Sequence, residues 1–156
     1  MMRKLVSAMV LALAACAPAQ EDVVQESAAR EANVSQGLPA PTPQDVVLRI
    51  GAEQEGRTVQ LRVGERFAVE LVGVPTAGYV WAPAVVPAFL TRAGEASGPT
   101  SPAQNQPGFT GGNHWEVMMF AATGPGTGEL KLEQRRPWES NEPPNAVYSV
   151  NVIVAP

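Results

Sequence analysis

Apolar and polar residues alternate through most of the chain from residue 45 onward, a pattern typical of β-strands with one buried face. Turn residues separate the alternating stretches, and no sustained helical period appears in this part. The pattern therefore predicts an all-β domain, a β-sandwich of about seven strands. The predicted strands cover residues 46–50, 58–63, 67–71, 79–81, 89–92, 115–121, 129–133 and 147–154.

Two features of this pattern indicate where the core lies. Residues 115–121 are apolar on both faces, as expected of a central strand that is covered on each side. Trp81 comes soon after a long amphipathic strand, and we expect its indole to anchor the core.

The N-terminus has the organisation of an export signal. Arg3 and Lys4 are followed by an apolar run, residues 5–15, that is too short to span a bilayer as a helix. The run ends in Leu-Ala-Ala-Cys at Cys16, which resembles the lipobox of bacterial lipoproteins. The resemblance implies a lipoprotein signal peptide over 1–15 and a lipidated Cys16. The resemblance also implies the outer membrane, facing the periplasm or the exterior, because Ala17 and not an acidic residue follows the cysteine. An ordinary secretory leader is the alternative.

Residues 16–44 predict a tether between this anchor and the folded domain. The segment is rich in Ala, Gln, Glu and Pro and has no strong period. Prolines alternate at 39, 41 and 43, just before the first strand. The predicted organisation is therefore a signal peptide (1–15), a lipidated cysteine with a flexible tether (16–44) and one β-domain (45–156).

Composition argues against several classes of function. The net charge is −4 and no cluster of basic residues stands out, which disfavours nucleic acid as a partner. His114 is the sole histidine, so imidazoles cannot group around a metal. Cys16 belongs to the leader junction and is not available as a nucleophile. A serine paired with His114 stays an alternative, although no Gly-x-Ser-x-Gly elbow accompanies it. We expect no enzyme, no cofactor and no metal.

Three connections are too long or too unusual to be simple corners: residues 73–78, 93–113 and 135–145. Long loops without structure of their own are often functional. In the first, Pro75 fixes φ and Gly78 permits a positive φ, which predicts a stiff turn with a small tip. In a seven-strand sandwich these loops are the B–C, D–E and F–G connections, which can reach one end of the fold.

Three motifs in these connections resemble the chagasin family of cysteine peptidase inhibitors. They are Pro-Thr-Ala-Gly-Tyr-Val-Trp at 75–81, a glycine-rich stretch at 108–112, and Arg-Pro-Trp at 136–138. They stand in the family's order, and the similarity covers about residues 45–156. Three features depart from the family pattern: Val74 replaces an asparagine, Ala77 replaces a second hydroxyl residue, and the glycine stretch carries the bulky Phe109 with one extra residue.

The resemblance implies an immunoglobulin-like domain that reversibly inhibits papain-like cysteine peptidases, and nothing in the sequence demands more than a monomer. Loops 73–78, 107–113 and 135–145 would enter the active-site cleft, with Thr76 at the tip and Arg136 and Trp138 on one side. The stretch 109–112 would lie on the other side and imitate an extended substrate. A surface lipoprotein that binds another partner with the same loops is the alternative. The implied binding residues are Pro75, Thr76, Ala77, Gly78, Tyr79, Phe109, Thr110, Gly111, Gly112, Arg136, Pro137 and Trp138.

Overall fold

The computed structural model describes residues 37–139 and 141–156, in which the chain forms eight β-strands and three short 3₁₀ helices. The strands are β1 (Leu48–Ile50), β2 (Thr58–Arg62), β3 (Arg66–Gly73), β4 (Val80–Val85), β5 (Leu90–Pro99), β6 (His114–Ala122), β7 (Gly126–Arg135) and β8 (Ala146–Ala155). The 3₁₀ helices are Ala52–Gln54, Pro75–Ala77 and Pro102–Asn105. None of these described helices is long and apolar enough to cross a membrane. The predicted leader, Cys16 and the tether up to residue 36 lie outside the described residues.

Two four-stranded sheets enclose one core, and the predicted all-β sandwich is confirmed. The strand order is β1-β3-β6-β5 in the first sheet and β2-β8-β7-β4 in the second. β1 runs parallel to β3 and β2 runs parallel to β8, whereas the other neighbours are antiparallel. The third and fourth strands therefore lie in different sheets, so the connection between them crosses from one sheet to the other.

Alternate residues of both sheets fill the space between them, as the sequence pattern predicts. Phe67 of β3 and Phe120 of β6 stack with ring centroids 5.5 Å apart. Trp81 packs against this core and its Nε1–H donates to the Val72 carbonyl at 2.9 Å, which confirms its predicted anchoring role. The buried apolar side chains include Ile50, Leu61, Val69, Leu71, Leu130, Leu132, Tyr148, Val150, Val152 and Val154.

A second, smaller apolar cluster covers the outer face of the first sheet. Val46 is buried there beside Ala68, Val117 and Met119, and Ala40 packs against the same cluster. β6 is therefore covered on both faces, as predicted for the central strand.

Part of the segment assigned to the tether contacts this same sheet. The Leu38 N–H donates to the Thr100 carbonyl at 2.7 Å, and the Trp115 indole donates to the Leu38 carbonyl at 2.7 Å. Thr42 is buried and its hydroxyl hydrogen-bonds to the Glu70 carboxylate. Residues 38–42 are thus attached to the domain, N-terminal to the predicted domain boundary at 45.

The fifth strand is longer than the sequence indicates. The sequence predicts that residues 93–99 begin a loop, because they contain glycine and proline. They instead continue β5, with a bulge between Arg92 and Gly94, and remain paired with β6 as far as Pro99 opposite His114. β5 is the edge strand of its sheet, where glycine, proline and bulges are tolerated. The second long connection therefore begins at residue 100.

Strand register places the ends of three connections at one end of the sandwich. His114, which opens β6, pairs with Gly73 at the end of β3 and with Pro99 at the end of β5. In the other sheet, Val80 at the start of β4 pairs with Arg135 at the end of β7. The β3–β4, β5–β6 and β7–β8 connections therefore all leave the sandwich at this end.

Candidate functional site

The three connections are called loop 1 (residues 74–79), loop 2 (residues 100–113) and loop 3 (residues 136–145, without residue 140). They contain every residue of the three predicted motifs except Val80 and Trp81. The site is therefore a set of loops at one end of the sandwich.

Loop 1 is a short, internally hydrogen-bonded turn. Val74 and Tyr79 exchange backbone hydrogen bonds at 3.2 and 3.3 Å, which closes the base of the loop. Between them the 3₁₀ turn Pro75–Ala77 ends at Gly78, whose φ of 82° is in the left-handed region that glycine adopts without strain. Thr76 is exposed at the tip. Proline and glycine thus give the stiff, small-tipped turn that the sequence predicts.

Loop 3 contacts loop 1 through Arg136. Its Nε–H donates to the Ala77 carbonyl at 2.9 Å, and the guanidinium carbon lies 4.6 Å from the centre of the Tyr79 ring. A further guanidinium nitrogen is 3.0 Å from the Glu139 carboxylate. Arg136 therefore makes its contacts within the protein and fixes loop 1 against loop 3.

Trp138 strengthens the same junction and remains available to a partner. Its ring lies directly against Gly78, so that a Cβ added to that glycine would overlap the indole. The residue is nevertheless 69% exposed. Gly78 is thus required both for its positive φ and for the space that it leaves to Trp138.

A buried amide connects the base of loop 3 to the first sheet. Gln134 is 6% exposed, and its Oε1 accepts a hydrogen bond from the Asn145 side chain at 2.6 Å. Its Nε2 donates to the Val72 carbonyl of β3 at 3.4 Å. Gln134 therefore fixes the base of loop 3 to the strand that leads into loop 1.

Loop 2 is organised by one glutamine side chain. Gln104 Oε1 accepts hydrogen bonds from the Thr100 and Ser101 N–H groups at 2.6 and 3.0 Å, and Nε2 donates to the Asn113 carbonyl at 2.7 Å. This side chain joins the beginning of the loop to its end. The Ser-Pro-Ala-Gln sequence at 101–104 has the spacing of a helix capping box, a signal that our sequence analysis missed.

The glycine-rich tip of loop 2 differs from the extended strand that the resemblance implies. Gly108, Gly111 and Gly112 have φ of 81°, 83° and 96°, which an extended L-peptide substrate does not adopt. Phe109 is 43% exposed and lies over Gly112, where a Cβ would be within 3.3 Å of its ring. The loop therefore offers a curved backbone with one exposed aromatic side chain.

The structure brings most of the predicted binding residues together. Tyr79, Gly78, Ala77, Arg136 and Trp138 form one contact network between loops 1 and 3. Pro75, Thr76 and Pro137 are exposed beside it, and the residues 109–112 lie on loop 2 at the same end.

Two ionisable residues lie at the base of the loops on β6. The Glu116 Oε2 accepts the Trp81 N–H at 2.7 Å, while Oε1 of Glu116 and Nδ1 of His114 have no hydrogen-bond partner among the described residues. Burial raises the pKa of Glu116, although the Trp81 hydrogen bond and the charge of His114 act in the opposite direction. Within 37–139 and 141–156, no three His, Cys, Asp or Glu residues are grouped to hold a metal ion.

Comparison with known proteins agrees with this architecture. The cysteine protease inhibitor EhICP2 of Entamoeba histolytica is similar in structure, with a TM-score of 0.61 and 17% identity over 73% of this chain and 100% of that one. Amebosin is similar with a TM-score of 0.52 and 22% identity, over 69% of this chain and 97% of its own. At such identities the likeness shows the fold.

Sequence comparison identifies the family. No curated protein is similar enough in sequence to count as a match. The family model described as chagasin family peptidase inhibitor I42 matches residues 60–152, which is more than half of the chain. The chain therefore belongs to the chagasin family of peptidase inhibitors, the family that its loop motifs resemble.

Proposed function

We propose that this protein is a reversible inhibitor of papain-like cysteine peptidases, and that loops 1, 2 and 3 together fill the active-site cleft. The observation that carries the proposal is the junction of loops 1 and 3. Arg136 bonds to Ala77, Trp138 packs on Gly78, and Thr76 protrudes beside them. Membership of an inhibitor family supports the same function.

The conformation of loop 1 explains how it would occupy a peptidase without being cut. The Ala77 N–H donates to the Val74 carbonyl and the Gly78 N–H donates to the Pro75 carbonyl, each at 2.9 Å. A chain held in this turn does not present an extended peptide bond to the catalytic thiolate, so the reacting atoms cannot reach near-attack geometry. Thr76 would enter the cleft as a blunt wedge.

Pre-organisation supports tight binding. Loop 1 is closed by backbone hydrogen bonds and clamped by Arg136, while loop 2 is closed by Gln104. Each ordered loop loses little conformational entropy on docking. A side chain that is already held in place avoids the free-energy cost of about 0.5–1.5 kcal/mol that ordering it on binding would require. Trp138 and Phe109 would supply apolar area on the two sides of the wedge.

A titration of active papain with the purified protein tests this proposal. We expect stoichiometric loss of activity that is recovered on dilution, with the inhibitor chain intact by mass spectrometry. The variant Thr76→Arg is a sharp companion, since a long charged side chain at the tip should prevent entry while the fold remains unchanged. No inhibition of papain or of any related cathepsin at micromolar protein would end the proposal.

We also propose that the chain is a lipoprotein of the cell envelope, attached through Cys16 and directed to the outer membrane. The basic Arg3 and Lys4, the apolar run and the Leu-Ala-Ala-Cys ending support this localisation. Mass spectrometry of the mature protein should find an acylated N-terminal cysteine, and Cys16→Ala should release the protein from membranes. An unmodified Cys16 thiol in the mature protein would remove the anchor.

A further inference from the structure

Glu116 occupies the gap between the two sheets directly below loop 1. Its carboxyl group lies where a Cβ of Gly73 would stand, at the end of β3. Its other oxygen accepts the Trp81 N–H at 2.7 Å, at the beginning of β4. Loop 1 connects these two strands. The Glu116 side chain therefore contacts the backbone both before and after loop 1.

We propose that Glu116 is a positioning residue that holds loop 1 in its inhibitory conformation, and that it does so as a carboxylate. This proposal rests on the function proposed above, since it concerns how the same site is held. Glu116 makes no contact with the peptidase in this scheme. It acts through the Gly73 and Trp81 backbone, which set the distance between the two ends of the loop.

The surroundings of the Glu116 carboxyl group indicate that it serves to position loop 1 rather than to stabilise the fold. Glu116 is half-buried, and its Oε1 is a buried oxygen without a hydrogen-bond partner among the described residues. Such an oxygen destabilises a fold, and an apolar or amide side chain would be less costly there. Burial raises the pKa of Glu116, which is the sign expected when the charged form is disfavoured in the folded state. A hydrogen bond to a charged acceptor is stronger than one to a neutral acceptor, so ionised Glu116 holds Trp81 more firmly.

Few other titratable groups face Glu116. A change of pH therefore alters the charge at the base of loop 1 mainly through the protonation of Glu116. His114 lies on the same strand and Glu95 of β5 lines the same cavity of about 490 Å³, while β4 contributes no ionisable side chain. In the second sheet, β7 contributes Gln134 opposite Trp81, and its neighbour Arg135 bonds to Glu133 and to the Glu142 carbonyl.

The first test compares Glu116→Gln with the wild type in the full-length protein, using papain inhibition and thermal unfolding at pH 7 and pH 5. Glutamine keeps an acceptor for Trp81 but not the charge, and the Trp81 indole still bonds to Val72. We expect the inhibition constant to rise on the order of fivefold at pH 7, while the unfolding temperature stays equal or increases. The ratio of the variant's inhibition constant to that of the wild type should be smaller at pH 5 than at pH 7. Taking this ratio cancels the pH dependence of papain itself.

A double-mutant cycle provides the second test. Gly73→Ala should displace the Glu116 carboxyl group without removing it and weaken inhibition in the wild type. The same change should add nothing to Glu116→Ala, where the space is already free. Glu95→Gln is the matched control, because Glu95 lines the same cavity but is exposed, and it should leave inhibition unchanged.

The outcomes separate the two proposals. Wild-type protein that inhibits no cysteine peptidase overturns the proposed function, and the role of Glu116 with it. Wild-type inhibition that Glu116→Gln leaves unchanged at both pH values overturns the role of Glu116 alone. A variant that loses thermal stability and inhibition in parallel would make Glu116 a structural residue only, as would additive effects in the cycle.

Discussion

Truncation of the Trp138 side chain is the most direct test of the inhibitory surface. A tryptophan side chain contributes about 150–250 Å² of accessible area, and Trp138 is 69% exposed in the free protein. About 140 Å² of ring therefore remains to be covered by a partner, which at ~25 cal/mol per Å² is an upper limit of about 3.5 kcal/mol. Partial coverage gives about 2–3 kcal/mol, so Trp138→Ala should raise the inhibition constant of papain roughly 30- to 150-fold.

The same geometry limits the effect of this change on the fold. The buried third of the ring lies against Gly78, and losing that contact should cost at most about 1.5 kcal/mol of unfolding free energy. The unfolding temperature should therefore fall by at most about 5–10 °C. Inhibition constants come from tight-binding titrations of active papain, and unfolding is followed by circular dichroism on the same preparations.

A matched control is available at the opposite end of the sandwich. Val85 is 46% exposed at the far end of β4, so Val85→Ala should leave inhibition unchanged. An inhibition constant within twofold of wild type for Trp138→Ala would show that the indole does not contact the peptidase. Unfolding of Trp138→Ala at room temperature would show that the ring belongs to the core, and either result refutes the assignment.

Three further predictions follow from contacts around the site. Arg136→Lys should weaken papain inhibition by about tenfold, because an ammonium cannot both bond to Ala77 and cover Tyr79 as the planar guanidinium does; equal inhibition constants would contradict this. Gln104→Ala should speed amide hydrogen exchange in loop 2 while strand amides stay protected, and unchanged exchange there would contradict its organising role. The pKa of Glu116 is raised in the folded protein, so at pH values just above the ordinary glutamate pKa the native state binds more protons than the unfolded state. The contribution of Glu116 to the free energy of unfolding therefore falls as the pH rises through this range. Glu116→Gln should therefore lose less stability than wild type between pH 4 and 7 in urea titrations, and parallel curves would refute the assignment.

The parts of the fold that sequence predicts are those governed by local alternation. Phe67, Val69 and Leu71 recur at every second position and all three are buried, because a strand places alternate side chains on one face. The full length of β5 is not predicted by local alternation. Its glycines and proline are tolerated because β5 is an edge strand, and which strand lies at the edge depends on the whole sheet. The contact between Leu38 and Trp115 is equally invisible in the sequence, as it joins residues 77 positions apart.

The residues of the site also fall into those that local sequence predicts and those that depend on the whole fold. The sequence predicts all three loops because their motifs are short and local. Pro75 and Gly78 determine the turn of loop 1, and the stretches 108–112 and 136–138 mark loops 2 and 3. Gln104 could also have been found, from its spacing to Ser101. Glu116 and Gln134 could not, because each acts across the gap between sheets and its partners are set by strand register.

The departures from the family pattern at Val74 and Ala77 fall at positions that act through their backbone. Val74 closes loop 1 by exchanging backbone hydrogen bonds with Tyr79, and Ala77 contributes its carbonyl to Arg136. Replacing either side chain therefore leaves the hydrogen bonds that define the loop intact. Loops 1 and 2 also carry no charged side chain, so their association with a cleft depends on shape and backbone pairing more than on ionic attraction. A wedge of this kind tolerates changes of side chain at its base, and it is sensitive to whatever alters the path of its backbone.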